Sequence, residues 1–324
     1  MKIPKALSYS SLSMFEKNIE EFYLIHLSEK AAPRQPQGLP AAAGSAFDAY
    51  TKSMLAYSLF GKDMSPQFEF GAIFESQVEP QNRDFALKAG KHVFKSYKRC
   101  GAYAALLQLL KESVEPPRFE FSLYGTIGGV PFSGKPDCRF VLDRGEGLIS
   151  CVFDWKVKGF CSKYNTSPSK GYETCRLCYP GNPNRDNQEH ANYKAMNFRG
   201  LTINSGYLEG CNPSYADQLS IYGWLLGEQV GDENVVMGIE EIVAKPATPP
   251  LLRYARHRAR VSKNHQLKLV ERIQTAWKRI TSGYIFTDMT EEESKGRCEI
   301  LEETAATMTP DDWFDKVTRT TTFW

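Results

Sequence analysis

Several things are scarce in this chain, and each absence excludes something. No apolar run approaches the roughly 18 residues that a membrane-spanning helix needs. The opening MKIPKALSYSSL has no long apolar core, so no secretion signal is expected. Net charge is almost missing: Lys plus Arg number 40 against 38 Asp plus Glu. A polyanion partner would therefore have to be held by a local basic patch, since there is no global field to hold it. Internal repeats and low-complexity tracts are absent. Cysteine is present but scattered, eight in 324 residues, which fits a reduced cytoplasmic protein better than a disulfide scaffold. What remains, 42% apolar and 24% charged residues, is the composition of a soluble globular protein of one large or two ordinary domains.

The stretch Gly128–Asp137, GGVPFSGKPD, looks at first like a nucleotide-binding loop, Gly129-x-x-x-x-Gly134-Lys135. Such a loop needs Ser or Thr after the lysine to ligate Mg²⁺, and it opens a helix. Here the next residue is Pro136, with neither hydroxyl nor N–H, and a strand-like DCRFVLD follows. The ATPase reading is excluded on those grounds.

Periodicity organises the rest. Three- and four-residue spacing predicts helices over 10–29, 41–60, 84–113, 214–228 and 264–280. Alternation predicts strands in RFEFSLYG, VPFSG, DCRFVLD and LISCVFDWKV, with Gly-containing turns between several of them, and again over 235–244 and 252–261. Residues 160–213 are polar and irregular, and the tail from Met289 is acidic. The order predicts a mixed α/β protein with helices around one central sheet.

In LISCVFDWKV, Asp154 and Lys156 share one strand face while Phe153 and Trp155 share the other. Asp137, at the head of the preceding strand, comes to lie beside Asp154 if the two strands pair through the Gly145 turn. Two converging carboxylates suit a hard divalent cation, and a nearby lysine can orient or deprotonate water or offset charge on a phosphate. The same residues also read as an edge-strand ion pair and a turn aspartate, and spacing alone leaves both readings open.

Taken together, Pro136-Asp137 and Asp154-Trp155-Lys156 resemble the PD-(D/E)XK nuclease signature. Five further segments resemble its RecB-like branch. These are Ser8-Tyr-Ser-Ser-Leu12 with Phe15, Gly44-Ser-Ala-Phe-Asp48, Glu120, Gln218-Leu-Ser-Ile-Tyr222, and Trp277 with Ile280-x-Ser282-Gly283. The resemblance implies a restriction-endonuclease-like core, with a central mixed sheet flanked by helices. Around it lie extra N-terminal helices and an irregular insert. The divisions are a mainly helical 1–117, a nuclease core over 118–158 and 214–286, a Cys-containing insert over 159–213 and a tail over 287–324.

The resemblance also implies Asp137 and Asp154 as Mg²⁺ or Mn²⁺ ligands, the backbone carbonyl of Trp155 as a further ligand, and Lys156 as the catalytic lysine. Gln218 and Tyr222, one helical turn apart, would help place DNA or the lysine; the plain alternative is an ordinary helix face. Glu120 is either a second-metal or water-orienting carboxylate or an exposed strand residue. Asp48 stands where that branch carries a histidine ligand, and as an oxygen donor it would preserve a hard-metal site. The N-terminal segment has no cysteine and the C-terminal part only Cys298, so the iron–sulfur cluster of some relatives is not expected.

Cys161, Cys175-Arg-Leu-Cys178, His190 and Cys211 contain half of a zinc-site spacing; structural Zn²⁺ and plain thiols are both compatible with it. Phosphate contacts are expected from Lys135, from Lys158 at the edge of an insert where basic residues alternate with tyrosines, and from Arg256, Arg258 and Arg260, which would align on one strand face. The expectation is a Mg²⁺- or Mn²⁺-dependent deoxyribonuclease, an exonuclease of phage, recombination or CRISPR-adaptation type, acting on DNA in a bacterial or phage-infected cytoplasm. A helicase or recombinase partner would supply any unwinding, and no membrane is involved. The rival is a nuclease fold without chemistry that binds nucleic acid or serves assembly; another phosphate-ester hydrolase has no positive feature.

Overall fold

A computed structural model describes residues 1–30, 36–119, 121–161, 173–176, 200–246 and 251–309. Its centre is a six-stranded sheet in the order β1-β4-β5-β7-β8-β6. The strands are β1 (Arg118–Phe119), β4 (Cys138–Asp143), β5 (Leu148–Val157), β6 (Glu173–Arg176), β7 (Val235–Lys245) and β8 (Leu251–Ala259). β5 and β7 run parallel and every other pair is antiparallel, so the sheet is mixed. β2 (Leu123–Ile127) and β3 (Val130–Gly134) form a separate hairpin.

Both faces of the sheet are covered. Alternation along β5 sends Cys151, Phe153 and Trp155 into one apolar cluster and Val152 into the other. The first cluster is closed by α3 (Leu39–Phe60), α5 (Arg83–Arg99) and α6 (Ala102–Lys111). The second is closed by α1 (Tyr9–Lys17), α8 (Pro213–Leu225) and α9 (Lys263–Ser282). The expected central mixed sheet flanked by helices is what the chain builds.

Several details differ from the sequence reading. RFEFSLYG is not one strand but β1 and β2. The turn glycines Gly128 (φ 57°) and Gly129 (φ 84°) both take the left-handed conformation that a two-residue hairpin turn demands, with Ile127 pairing Val130. The predicted helix over 10–29 breaks at Asn18, whose side chain caps α2 (Ile19–Phe22), and then widens into a π-turn over Tyr23–Leu27. A further helix, α4 (Phe70–Gln77), packs on α3 through Ile73 and Phe74. Part of the irregular 160–213 segment returns to the sheet as β6, and a short helix, α7 (Leu208–Cys211), leads into α8.

The acidic tail is a helix, α10 (Glu291–Thr307). Thr290 and Glu293 form a reciprocal capping box, and Glu291, Glu292 and Glu293 sit in its first turn, where the helix dipole favours acids. α10 buries Leu301 and Ala305 in the second cluster, and Glu302 accepts from the Tyr23 hydroxyl and the Glu29 N–H.

Candidate active site

β4 and β5 pair with Cys138 opposite Phe153, so Asp137 falls at the end of the ladder, level with Asp154. The turn expected at Gly145 is there, with φ at 80°. The carboxyls of Asp137 and Asp154 come within hydrogen-bonding reach of each other. Asp154, only 3% exposed, ion-pairs with Lys156, its neighbour on the same strand face.

Asp137 joins the two faces of the sheet. Its Oδ2 accepts the backbone N–H of Trp155 at 3.2 Å, and its Oδ1 accepts from Lys52 Nζ at 2.9 Å. Lys52, 1% exposed on α3, also donates to Asp48 Oδ2 at 2.7 Å, one helical turn earlier. The other donors to Asp48 are Gln77 Nε2 at 3.0 Å and the Trp155 indole N–H at 2.6 Å. Trp155 and Asp154, pointing to opposite faces, thus anchor two halves of one charged seam.

The electrostatics follow from burial and pairing. For Asp137, burial works to raise the carboxyl pKa, but Lys52, the Asp154 contact and Lys156 outweigh it and hold the group well below the usual range. For Asp154, burial and the adjacent Asp137 charge both push the pKa up, and Lys156 does not offset them. Burial works to lower the two lysines, yet Asp137 with Asp48 raises Lys52, and Asp154 with Asp137 raises Lys156. Lys156 is therefore an ammonium at neutral pH. It can orient water or stabilise anionic oxygen, and it has no free lone pair with which to act as a base.

Gln218 and Tyr222 enter the same cleft from α8, with Gln218 Nε2 donating to the Tyr222 hydroxyl at 2.9 Å. Burial, reinforced by Asp154, pushes the Tyr222 phenol up to about 12, so it remains protonated. Gly134 makes this approach possible: a Cβ there would lie 2.8 Å from the Tyr222 ring. Exposed Lys135 stands at the mouth of the cleft, whose volume is about 410 Å³.

Among the described residues no three His, Cys, Asp or Glu side chains converge as a ready ligand set. The donors that do adjoin, Asp137 and Asp154, suit a hard cation: each carboxylate oxygen has two lone pairs, and two like charges in contact call for positive charge between them. In an extended strand the N–H and C=O of one residue face the same edge, which puts the Trp155 carbonyl on the Asp137 side. Asp48 lines the same cleft as Asp137 and Asp154, and its oxygens already accept from Lys52, Gln77 and Trp155, so it anchors the lysine as well. Lys52 escaped sequence reasoning; its signal was the Asp48-x-x-x-Lys52 spacing, one turn apart on a predicted helix.

The arginine stripe is not the open basic face that the sequence suggests. Arg256 and Arg258 do share a face of β8, but that face is covered by α5. Arg258, 1% exposed, pairs with Glu240 at 2.9 Å and lies over the Phe153 ring, and Glu240 also accepts from the Tyr97 hydroxyl. Arg258 is a core cation and not a phosphate contact. Arg256 is half-buried, and Arg260, just past the strand, donates to the Glu233 carbonyl at 2.7 Å. Removing one partner of a buried pair strands the other charge. Arg258→Met is therefore expected to lower unfolding free energy by about 3–5 kcal/mol in denaturant titration, whereas a surface DNA contact would leave stability unchanged.

Lys158 lies over the Tyr215 ring, 5.5 Å from its centroid, and near Glu241. Of the cysteine set, Cys178 and His190 lie outside the described residues, as does Glu120. Cys161 is exposed, and Cys175 lies on β6 opposite Leu252. The Cys211 thiol is 3.2 Å from His257 Nδ1, and the other nitrogen of that ring is 3.3 Å from Glu241 Oε2. His257 sits five residues along β8 from Leu252, the register partner of Cys175.

No family model matches the chain, and no curated protein matches it. One solved structure similar to it is named a "putative exonuclease", from Eubacterium rectale. The two share 13% identity over 86% of this chain and 82% of that one, at a TM-score of 0.42. No helix among the described residues is long and apolar enough to cross a membrane.

Proposed function

We propose that the chain is a metal-dependent phosphodiesterase acting on DNA, a nuclease of the PD-(D/E)XK type. The observation that carries this reading is the buried contact between Asp137 and Asp154 with Lys156 alongside. Asp48, Asp137 and Asp154 share the cleft with the ammonium groups of Lys52, Lys156 and Lys135. Burial and the adjacent Asp137 charge raise the Asp154 pKa, and a divalent cation between the two carboxylates would relieve that repulsion.

Asp137, Asp154 and the Trp155 carbonyl would hold Mg²⁺ or Mn²⁺, which when bound supplies Lewis-acid polarisation of a phosphoryl oxygen. The chain's own groups do the rest. Lys52 fixes Asp137, and Trp155 and Gln77 fix Asp48, so the carboxylates cannot swing away from a ligand. Lys156 offers its ammonium to the charge that builds on the phosphate oxygens, a fixed donor needing no reorganisation. Protonated Tyr222, braced by Gln218, adds a donor on the α8 side. The division into helical part, nuclease core, insert and tail, and an exonuclease partnered by a helicase or recombinase, belong to the same proposal.

Purified protein is to be incubated with linear and closed circular DNA, single- and double-stranded, with Mg²⁺, Mn²⁺ or EDTA. Cleavage of linear DNA that stops in EDTA is expected; no metal-dependent cleavage of any substrate contradicts the proposal. Metal binding should also show without turnover. A cation that binds only the folded chain stabilises it by about 2.7 kcal/mol at a hundred times its Kd. Mg²⁺ is thus expected to raise the melting temperature of wild type, and to do so far less in Asp154→Asn.

A further inference from the structure

We propose that a second hollow, continuous with the carboxylate cleft, binds one unstacked nucleotide beside the phosphate being cut. The substrate is then a strand with an unpaired nucleotide at that position. This rests on the phosphodiesterase reading above. The hollow has a volume of about 380 Å³ and shares Lys135, Gln218 and Tyr222 with the cleft. A strand whose phosphate lies in the cleft must leave it through such an opening.

The character of the lining changes at that junction. The cleft is built of carboxylates and ammonium groups. Among the described residues the hollow carries no carboxylate; it presents the hydroxyls of Ser8, Ser10, Ser122 and Ser133 and the rings of Tyr9 and Tyr124. Lys135 stands between the two chambers, where a phosphate joining one nucleotide to the next would fall. Hydroxyls donate and accept, so they serve sugar and base edges of any sequence.

Tyr124 decides the ligand class. It is 78% exposed on β2, in a hairpin that stands outside the main sheet. Its cross-strand neighbour is Ser133, too small to cover the ring. A large aromatic left open beside a basic residue and a catalytic cleft is a stacking platform for a base. The volume lies at the low end of small-ligand sites, enough for one nucleotide unit and too little for a base pair stacked on both sides. A paired end must therefore open before it enters.

The test reads binding in EDTA, where cleavage is prevented. A single-stranded octanucleotide carries 2-aminopurine at successive positions, and its fluorescence and anisotropy are followed with wild type, Tyr124→Phe and Tyr124→Ala. Quenching at one position is expected with wild type and Tyr124→Phe. Tyr124→Ala should lose the quench and bind roughly 5- to 150-fold more weakly. Because Tyr124 is exposed, all three proteins should melt alike. Equal affinity and quenching for Tyr124→Ala and wild type would overturn the inference. Hydrolysis of bis(p-nitrophenyl) phosphate by wild type, which needs only the cleft, tests the phosphodiesterase reading separately.

Discussion

Lys156→Met is expected to cut metal-dependent DNA cleavage by about 10²- to 10⁴-fold, the range for loss of a positioned charge or proton-handling group in the transition state. The loss should fall on kcat, since the ammonium meets charge that develops as the phosphate reacts. Burial works to lower the Lys156 pKa, but Asp154 and Asp137 outweigh it and keep the group protonated well above neutral pH, so the wild-type rate should show no alkaline limb from this residue near neutrality. In the variant Asp154 loses its ion-pair partner, its carboxyl becomes harder to ionise, and the metal requirement should shift to higher Mg²⁺ and higher pH. Lys156→Arg keeps the charge and should recover part of the rate. Steady-state cleavage of a labelled oligonucleotide across pH and Mg²⁺ checks each point, and a Lys156→Met protein within threefold of wild type would rule out the role.

Lys52→Met is expected to be the most damaging single change to the fold of the site. The ammonium is 1% exposed and is held by two carboxylates, and its removal strands both. Breaking such a pair costs about 3–5 kcal/mol. The pH dependence has a definite sign. Asp137, with its pKa held below the ordinary carboxyl value, contributes stability that is present above that value and lost as pH falls through its folded pKa. Asp154, with its pKa raised, contributes in the opposite sense: its stability is complete below the ordinary value and lost as pH rises through its folded pKa. Without Lys52, Asp137 joins Asp154 in that second behaviour. Wild type should thus tolerate neutral pH far better than Lys52→Met, and the gap should narrow in acid. Mg²⁺ should restore part of the variant's loss, because a cation between the carboxylates does what the ammonium did. Denaturant titrations at several pH values, with and without Mg²⁺, measure all three effects.

The core strands were legible because β4 and β5 are apolar runs on either side of a glycine-containing turn, and the Gly145 turn then fixes Asp137 beside Asp154. The Gln218–Tyr222 pair was legible for a similar local reason, one helical turn on α8. Lys52 and Gln77 were not, because they reach the site through the packing of α3 and α4. Arg258 misled for the converse reason. A charged residue alternating on a strand looks like an open basic face until Glu240, 18 residues earlier on the neighbouring strand β7, is seen to pair with it. The helix α10 was missed although its Thr290–Glu293 capping box was in plain sight, since its apolar stripe is short and its charge suggested a tail.

The central claim is that Asp137 and Asp154 jointly hold the cation on which cleavage depends. The most direct measurement compares wild type with Asp154→Asn, a change that keeps shape and removes the charge, both confirmed folded by melting. Cleavage of labelled linear DNA is followed over a Mg²⁺ titration. Wild type should cleave with saturable Mg²⁺ dependence, and Asp154→Asn should be inactive at every Mg²⁺ concentration. Equal rates and the same Mg²⁺ midpoint for the two proteins would contradict the account.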